Sequence, residues 1–270
     1  MLTPRPVFRF APSPNGRLHL GHAYSALLNQ HRAREAGGHL LLRIEDIDQT
    51  RCNRSLGEAA IDDLHWLGLR FDGAVRWQSE HLAEYHAAQK RLTEAGLTYP
   101  CSCTRKDLAA LPPSPADPEG QPLYPGTCRS TGPRPGLPAS LRLAMDRAAG
   151  GRALTMTEKG RVLPVDPAVW GDVVIARKDI GTSYHIAVCV DDALQGVSHV
   201  VRGTDLFAAT SIHRLVQDIL GLPEPHYHHH DLIRHDTGRK LAKSQGDRSL
   251  ADLRAAGVTA ADIRRQLGFS

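Results

Sequence analysis

Three groups of residues in this 270-residue chain have types and spacings suited to chemistry. The first is His19-Leu20-Gly21-His22, where a Pro/Gly-rich loop gives way to a helical pattern. A helix N-terminus presents N–H groups and the positive end of a dipole, so imidazoles there can share in binding nucleotide phosphates. Gly21 lets a flat base approach the backbone. The second is Lys240-Leu241-Ala242-Lys243-Ser244, between Gly238 and Gly246. Attack of a carboxylate on the α-phosphate of ATP builds charge on the phosphoryl oxygens and on departing pyrophosphate, which positioned cations must offset. Lys243 is the first choice for that work. The third is Cys101-Ser102-Cys103 with Cys128. Zinc takes four ligands in a tetrahedron, three thiolates are present, and the residues themselves suggest Asp107 as the fourth. Each group in isolation has a plainer reading, as capping or core histidines, a solvated Lys-Ser loop, and free thiols.

The remaining composition narrows the classes. Lys plus Arg number 33 against 29 Asp plus Glu, which permits a polyanionic partner without demanding one. Only six lysines occur, and two of them fall in Lys240 to Ser244. Five cysteines without an export signal argue against a disulfide framework. Cys52 and Cys189 stand apart from the others, and Cys189 lies in an apolar run where it reads as a small buried hydrophobe. No window has the length and apolarity of a membrane span, and a cytoplasmic location is expected.

The elements that must position these groups alternate between strand and helix. Val7 to Phe10 reads as a strand, followed by the loop Ala11 to Gly16, a helix from about Gly21 to Ala36, and a strand from Leu40 to Ile44 that ends in Glu45-Asp46-Ile47-Asp48. Helices are predicted over Leu56 to Leu67 and Glu80 to Ala95. Strands are predicted at Val173 to Ile175, Ile186 to Val190 and Val197 to Val201, and a helix over Leu206 to Leu220. Alternation of this kind predicts a parallel sheet, with ligands gathered beyond the carboxyl ends of its strands. From Leu111 to Pro138 the density of Pro and Gly argues against a regular core element and suggests an insertion.

HxGH early and KxxKS late together resemble the paired signatures of class I aminoacyl-tRNA synthetases. Phe10 to His22, Arg43-Ile44-Glu45-Asp46-Ile47-Asp48 and Val201-Arg202-Gly203-Thr204-Asp205-Leu206 are similar to the glutamyl-tRNA synthetase group, and the whole resembles its shorter glutamyl-Q branch. The resemblance implies that His19, His22 and Lys243 are catalytic and that His19, Gly21, His22, Lys240 and Lys243 bind ATP. It also implies that Arg9, Ala11, Ser13, Glu45, Tyr184 and Arg202 bind glutamate. A carboxylate at Glu45 suits an ammonium, and guanidinium forks suit carboxylates. For zinc the resemblance points to Tyr124, four residues before Cys128, in company with Cys101, Cys103 and Cys128, and Tyr124 is expected over Asp107 in the fourth place. Two departures from the family pattern are Ala242, where Ser or Met is usual, and His185, where Asn or Gln is common.

The implied fold is α/β: a Rossmann-like catalytic domain (1–100 and 171–249, the second part with the KxxKS loop), a zinc-bearing acceptor-type insertion (101–170) and a short helical remnant (250–270). The implied reaction is tRNA-independent activation of L-glutamate by Mg2+-ATP, followed by transfer to the queuosine in the anticodon of tRNA(Asp), carried out by a monomer. Only 26 residues follow Ser244, too few for an anticodon-binding domain with its own core. The rival readings are a shortened enzyme charging tRNA(Glu) and a non-catalytic RNA-binding module. Retention of His19, His22, Glu45, Tyr184, Arg202 and Lys243 argues against the module.

Overall fold

The computed structural model describes residues 4–110, 115–233 and 248–269. The chain divides into two compact units, Met1–Glu80 with Gly196–Phe207 and Pro225–Ser270, and His81–Gln195 with Ala208–Glu224.

In the first unit, strands β1 (Val7–Phe10), β2 (His39–Ile44), β3 (Arg76–Trp77), β9 (His199–Gly203) and β10 (His226–His230) lie in the order β3-β2-β1-β9-β10. Every neighbouring pair is parallel, as the alternating pattern predicts. Helix α1 (Leu20–Glu35) buries Ala23, Ala26, Leu27, Gln30 and Ala33, a stripe at three- and four-residue spacing. Its Asn29 amide reaches across to the carbonyl of Val201 at 3.1 Å, tying helix to sheet. Helix α2 (Arg54–Trp66) is capped by the Asn53 side chain. Helices α9 (Leu250–Ala255) and α10 (Ala260–Gln266) each open on a capping box, Ser249 with Asp252 and Thr259 with Asp262. Leu250 and Ile263 carry these helices into the same core as Phe8, Leu18, Leu42 and Leu64.

The second unit contains an antiparallel sheet, β4 (Thr98–Cys101), β5 (Ser140–Leu143) and β8 (Val174–Ala176), in the order β4-β5-β8. It also holds the hairpin β6 (Leu154–Glu158) and β7 (Arg161–Val165). Its longer helices are α3 (Leu82–Glu94), α7 (Tyr184–Leu194) and α8 (Thr210–Leu220). Three single-turn helices, α4 (Arg105–Ala109), α5 (Thr127–Thr131) and α6 (Met145–Ala149), join the sheet strands.

Val173 to Ile175, expected in the parallel sheet, instead supplies β8 of the antiparallel sheet, where its pairing partner is β5. Another predicted element is wrong in kind. Ile186 to Val190, read as a strand, forms the middle of α7, in which Ile186 through Asp192 are all buried. A short run of β-branched residues bounded by polar ones has no period when every side is covered, so apolarity could not separate strand from buried helix. The Tyr85 hydroxyl donates to both oxygens of Asp191 at 2.9 and 3.0 Å, which satisfies a carboxylate on that buried surface. The predicted Leu206 to Leu220 helix begins later, at Thr210, after a 3-10 turn at Thr204–Leu206. No helix among the described residues is long and apolar enough to cross a membrane.

Candidate functional site

The parallel sheet of the first unit builds a charged surface at its carboxyl edge. Phe10 pairs with Leu42, so the loops after β1 and β2 leave the sheet together, and the Glu45 N–H donates to the Pro12 carbonyl at 3.0 Å. Ala11 and Ser13 lie in the first of these loops. Side chains alternate between faces along a strand. Phe8 pairs with His199 and stacks on it, which places Arg9 on the opposite face; in the same alternation Arg202 shares the face of Arg9 on the neighbouring strand. Arg9 and Arg202 are 4% and 5% exposed, so neither is the solvated strand-end charge that their positions alone would suggest. The buried Arg43 Nη2 lies 3.5 Å from Glu45 Oε1. Asp46 and Asp48 hold the following loop: Asp46 accepts from the Ser79 N–H and hydroxyl, and Asp48 accepts from Thr50 and Arg51.

Two contributors to this edge escaped the sequence reading. Arg43 opens the Arg43 to Asp48 stretch, and a charge inside the apolar strand HLLLRI is itself a signal. His229, 1% exposed, accepts from Arg202 Nε at 3.1 Å, and the two are register partners across β9 and β10. A second Arg202 nitrogen donates to the Leu206 carbonyl at 3.2 Å. The strand HYHHH has no apolar alternation to announce it.

His19 is the N-cap of α1. Its Nδ1 accepts from the Gly21 N–H at 3.1 Å, and His22 Nδ1 accepts from the His19 N–H at 3.2 Å, a capping box made of imidazoles. The two rings lie 3.9 Å apart between centroids. An imidazole that accepts through Nδ1 carries its proton on Nε2. Both rings are thereby set as Nε2–H donors at the positive end of a helix. The capping role and a phosphate-binding role are compatible, because they use opposite nitrogens. A Cβ on Gly21 would stand 2.9 Å from His19 Cε1, so the motif needs glycine there.

Tyr184 belongs to the second unit, where it is the first residue of α7. Its ring meets that of His213 edge-on at 5.4 Å, and His185 Nδ1 lies 3.2 Å from His213 Nε2. Lys240, Ala242 and Lys243 lie outside the described residues.

The cysteine group is also in the second unit. Cys101 ends β4, Cys103 follows it, and Cys128 lies in α5; their sulfurs fall within 4.8 Å of one another. Gly126, at φ 81°, folds the chain back so that the Cys128 N–H donates to the Tyr124 hydroxyl at 2.8 Å. That oxygen lies 3.3 Å from Cys101 Sγ and 3.6 Å from Cys103 Sγ, and the Cys103 and Cys128 sulfurs are 3.5 Å apart. A tetrahedral zinc with bonds of ~2.3 Å to sulfur and ~2.0 Å to oxygen requires S···S of about 3.8 Å and S···O of about 3.5 Å. The residues fit the ion. Burial opposes a thiolate at Cys128, but hydrogen bonds from Tyr124, the Ser102 backbone and the other thiols outweigh it and bring the thiol to about 6. Burial pushes the Cys103 thiol up to about 11.

Asp107 is engaged elsewhere. It closes the capping box of α4, its Oδ2 accepting from the Thr104 N–H at 2.6 Å, the Thr104 hydroxyl at 2.8 Å and Arg134 Nη2 at 2.6 Å. The Thr104 backbone and side chain and the Arg134 guanidinium hold its carboxyl down at about 2.

Comparison with known proteins gives the family. The sequence model of the catalytic domain of class I tRNA synthetases (E and Q) matches residues 7–267. A glutamyl-Q tRNA(Asp) synthetase of Rhodobacter capsulatus is 50% identical over 97% of this chain and 100% of its own length. One from Nocardia farcinica is 42% identical over 92% of this chain and 79% of its own. Among solved structures, a glutamate tRNA ligase from Elizabethkingia meningosepticum in complex with its amino acid superposes with a TM-score of 0.73 at 26% identity, over 90% of this chain. This chain spans 53% of that longer protein. By sequence along its length and by fold, the chain belongs to the class I glutamyl and glutaminyl tRNA synthetases, in the glutamyl-Q tRNA(Asp) synthetase branch.

Proposed function

We propose that this chain activates L-glutamate with ATP, without requiring tRNA, and transfers it to the queuosine in the anticodon of tRNA(Asp). The observation that carries the reading is the 50% identity, end to end, with a relative of that name. The buried Arg9, Arg43, Glu45 and Arg202 at one sheet edge supply a recognition surface consistent with it. Glu45 receives the substrate ammonium, and the guanidiniums of Arg9 and Arg202 receive its carboxylate charge. The loop residues Ala11 and Ser13 line the same pocket, and the family resemblance makes Tyr184 a glutamate-binding residue.

In the first step a glutamate carboxylate oxygen attacks the α-phosphorus, the bond to pyrophosphate breaks, and glutamyl-adenylate forms. His19 and His22, held as Nε2–H donors, together with Lys240 and Lys243, offset charge on the phosphoryl oxygens; Gly21 makes room for the adenine. Magnesium accompanies the nucleotide phosphates. In the second step a queuosine hydroxyl attacks the glutamyl carbonyl, AMP leaves, and the hydroxyl proton is lost.

Cys101, Cys103, Cys128 and Tyr124 would hold one zinc, which supplies a structural crosslink of the 101–170 insertion when bound. That insertion, flanked by catalytic segments 1–100 and 171–249 and followed by a helical remnant at 250–270, is the proposed organisation of a monomeric, cytoplasmic enzyme.

The test uses labelled glutamate with four RNAs: native tRNA(Asp), tRNA(Asp) from cells unable to make queuosine, native tRNA(Asp) trimmed at its 3′ end, and tRNA(Glu). Labelling survives trimming and vanishes without queuosine. The likeness to a glutamate tRNA ligase supports the alternative, an enzyme charging tRNA(Glu). Efficient labelling of tRNA(Glu), or loss of labelling on trimming, would establish that alternative.

A further inference from the structure

Arg142 sits where no role in the reaction reaches it. It lies on β5 opposite Tyr99 of β4, and Cys101 is two residues beyond Tyr99, so Arg142 and Cys101 project from the same face of the antiparallel sheet. The guanidinium carbon of Arg142 lies 3.7 Å from the centroid of the Tyr124 ring. It is held there by a backbone clamp, Nη1 donating to the Asp172 carbonyl at 2.6 Å. Asp172 is fixed in turn, one carboxylate oxygen accepting from the Tyr99 hydroxyl at 2.6 Å and the other from the Met145 N–H at 2.8 Å. Arg142 is 8% exposed, and its Nε has no hydrogen-bond partner among the described residues.

A buried guanidinium that leaves a donor unsatisfied has given up hydrogen bonding for contact with a ring face, and the contact must compensate. The chemistry of the four donors explains how it can. Three thiolates and a phenolate bring four negative charges to a dication, leaving a net charge of about −2 in a poorly solvated place. A cation over the ring of the oxygen donor offsets part of that charge without competing for the oxygen, whose near side is held by the Cys128 N–H.

We propose that Arg142 is a positioning residue of the metal centre: stacked on Tyr124, it holds the phenol ring in place and compensates the charge of the donor set. The proposal rests on the zinc reading above. It predicts that Arg142 acts on metal binding through Tyr124 and not through the fold at large.

A double-mutant cycle read by zinc affinity separates these. Zinc(II) is titrated into the metal-stripped full chain against a chromophoric chelator, for wild type, Arg142→Gln, Arg142→Lys, Tyr124→Phe and Tyr124→Phe/Arg142→Gln, with thermal melts of each metal-free protein alongside. Loss of an outer partner of a metal ligand weakens metal affinity by about 10- to 100-fold, and about tenfold is expected for Arg142→Gln. Arg142→Lys, which keeps the charge but loses the flat stack, should fall between it and wild type. In the Tyr124→Phe background Arg142→Gln should change affinity little. Equal weakening by Arg142→Gln in both backgrounds, or none in either, would overturn the proposal while leaving zinc in place. A wild-type chain that binds no zinc would overturn the zinc reading itself, and the proposal with it.

Discussion

Replacing Gly21 by Ala tests whether the histidine pair works through its geometry. The added Cβ would stand 2.9 Å from His19 Cε1 and 3.1 Å from Nδ1, so the ring must move or its hydrogen bond from the Gly21 N–H must break. Loss of an N-cap bond costs helix α1 about 1 kcal/mol. Alanine is favoured over glycine within a helix by up to about 1 kcal/mol. The two terms nearly cancel, so the melting temperature should hardly change. Catalysis has no such compensation. A positioned donor displaced from developing phosphoryl charge costs about 3 kcal/mol, or roughly a hundredfold in rate. The assay is glutamate-dependent exchange of labelled pyrophosphate into ATP, paired with thermal unfolding. A Gly21→Ala enzyme that exchanges within about threefold of wild type, equivalent to less than ~0.7 kcal/mol, would refute the argument. A large loss of stability would show that the cap term had been misjudged.

The other expectations are more direct. Arg202→Lys should raise the KM for glutamate by tenfold or more, about 1.4 kcal/mol, because an ammonium cannot reproduce the Nε bond to His229 and the second bond to the Leu206 carbonyl; unchanged glutamate affinity would remove Arg202 from the pocket. Tyr124→Phe should weaken zinc binding measured by elemental analysis after dialysis. Asp107→Ala should leave zinc in place and lower the melting temperature slightly, since Asp107 closes the capping box of α4 and pairs with Arg134; the reverse pattern would exchange the two assignments. Lys243→Ala should reduce pyrophosphate exchange by roughly two decades, and near wild-type turnover would exclude Lys243 from the mechanism.

Family and sheet type were legible in the sequence because their signals are local. HxGH, the Arg43 to Asp48 stretch and the Val201 to Leu206 stretch are contiguous, and the helix after the first strand shows its period directly in Ala23, Ala26, Leu27, Gln30 and Ala33. Those strings could be read without knowing what packs against them. What the sequence could not determine depended on partners far away in the chain. The run Ile186 to Val190 is helical within a fully covered surface, and a residue buried on all sides loses the polar-apolar contrast that reveals its period. The surroundings of the two rival metal donors were equally hidden: tertiary structure pairs Asp107 with Arg134, 27 residues on, and folds the Tyr124 hydroxyl to within 3.6 Å of two cysteine sulfurs. His229 could not be linked to Arg202 from its surroundings, because register between two parallel strands is a long-range property that neither strand encodes by itself. Residue types declare the chemistry a chain can attempt, while the neighbours that desolvate, orient and charge-balance those groups are brought together only by the fold.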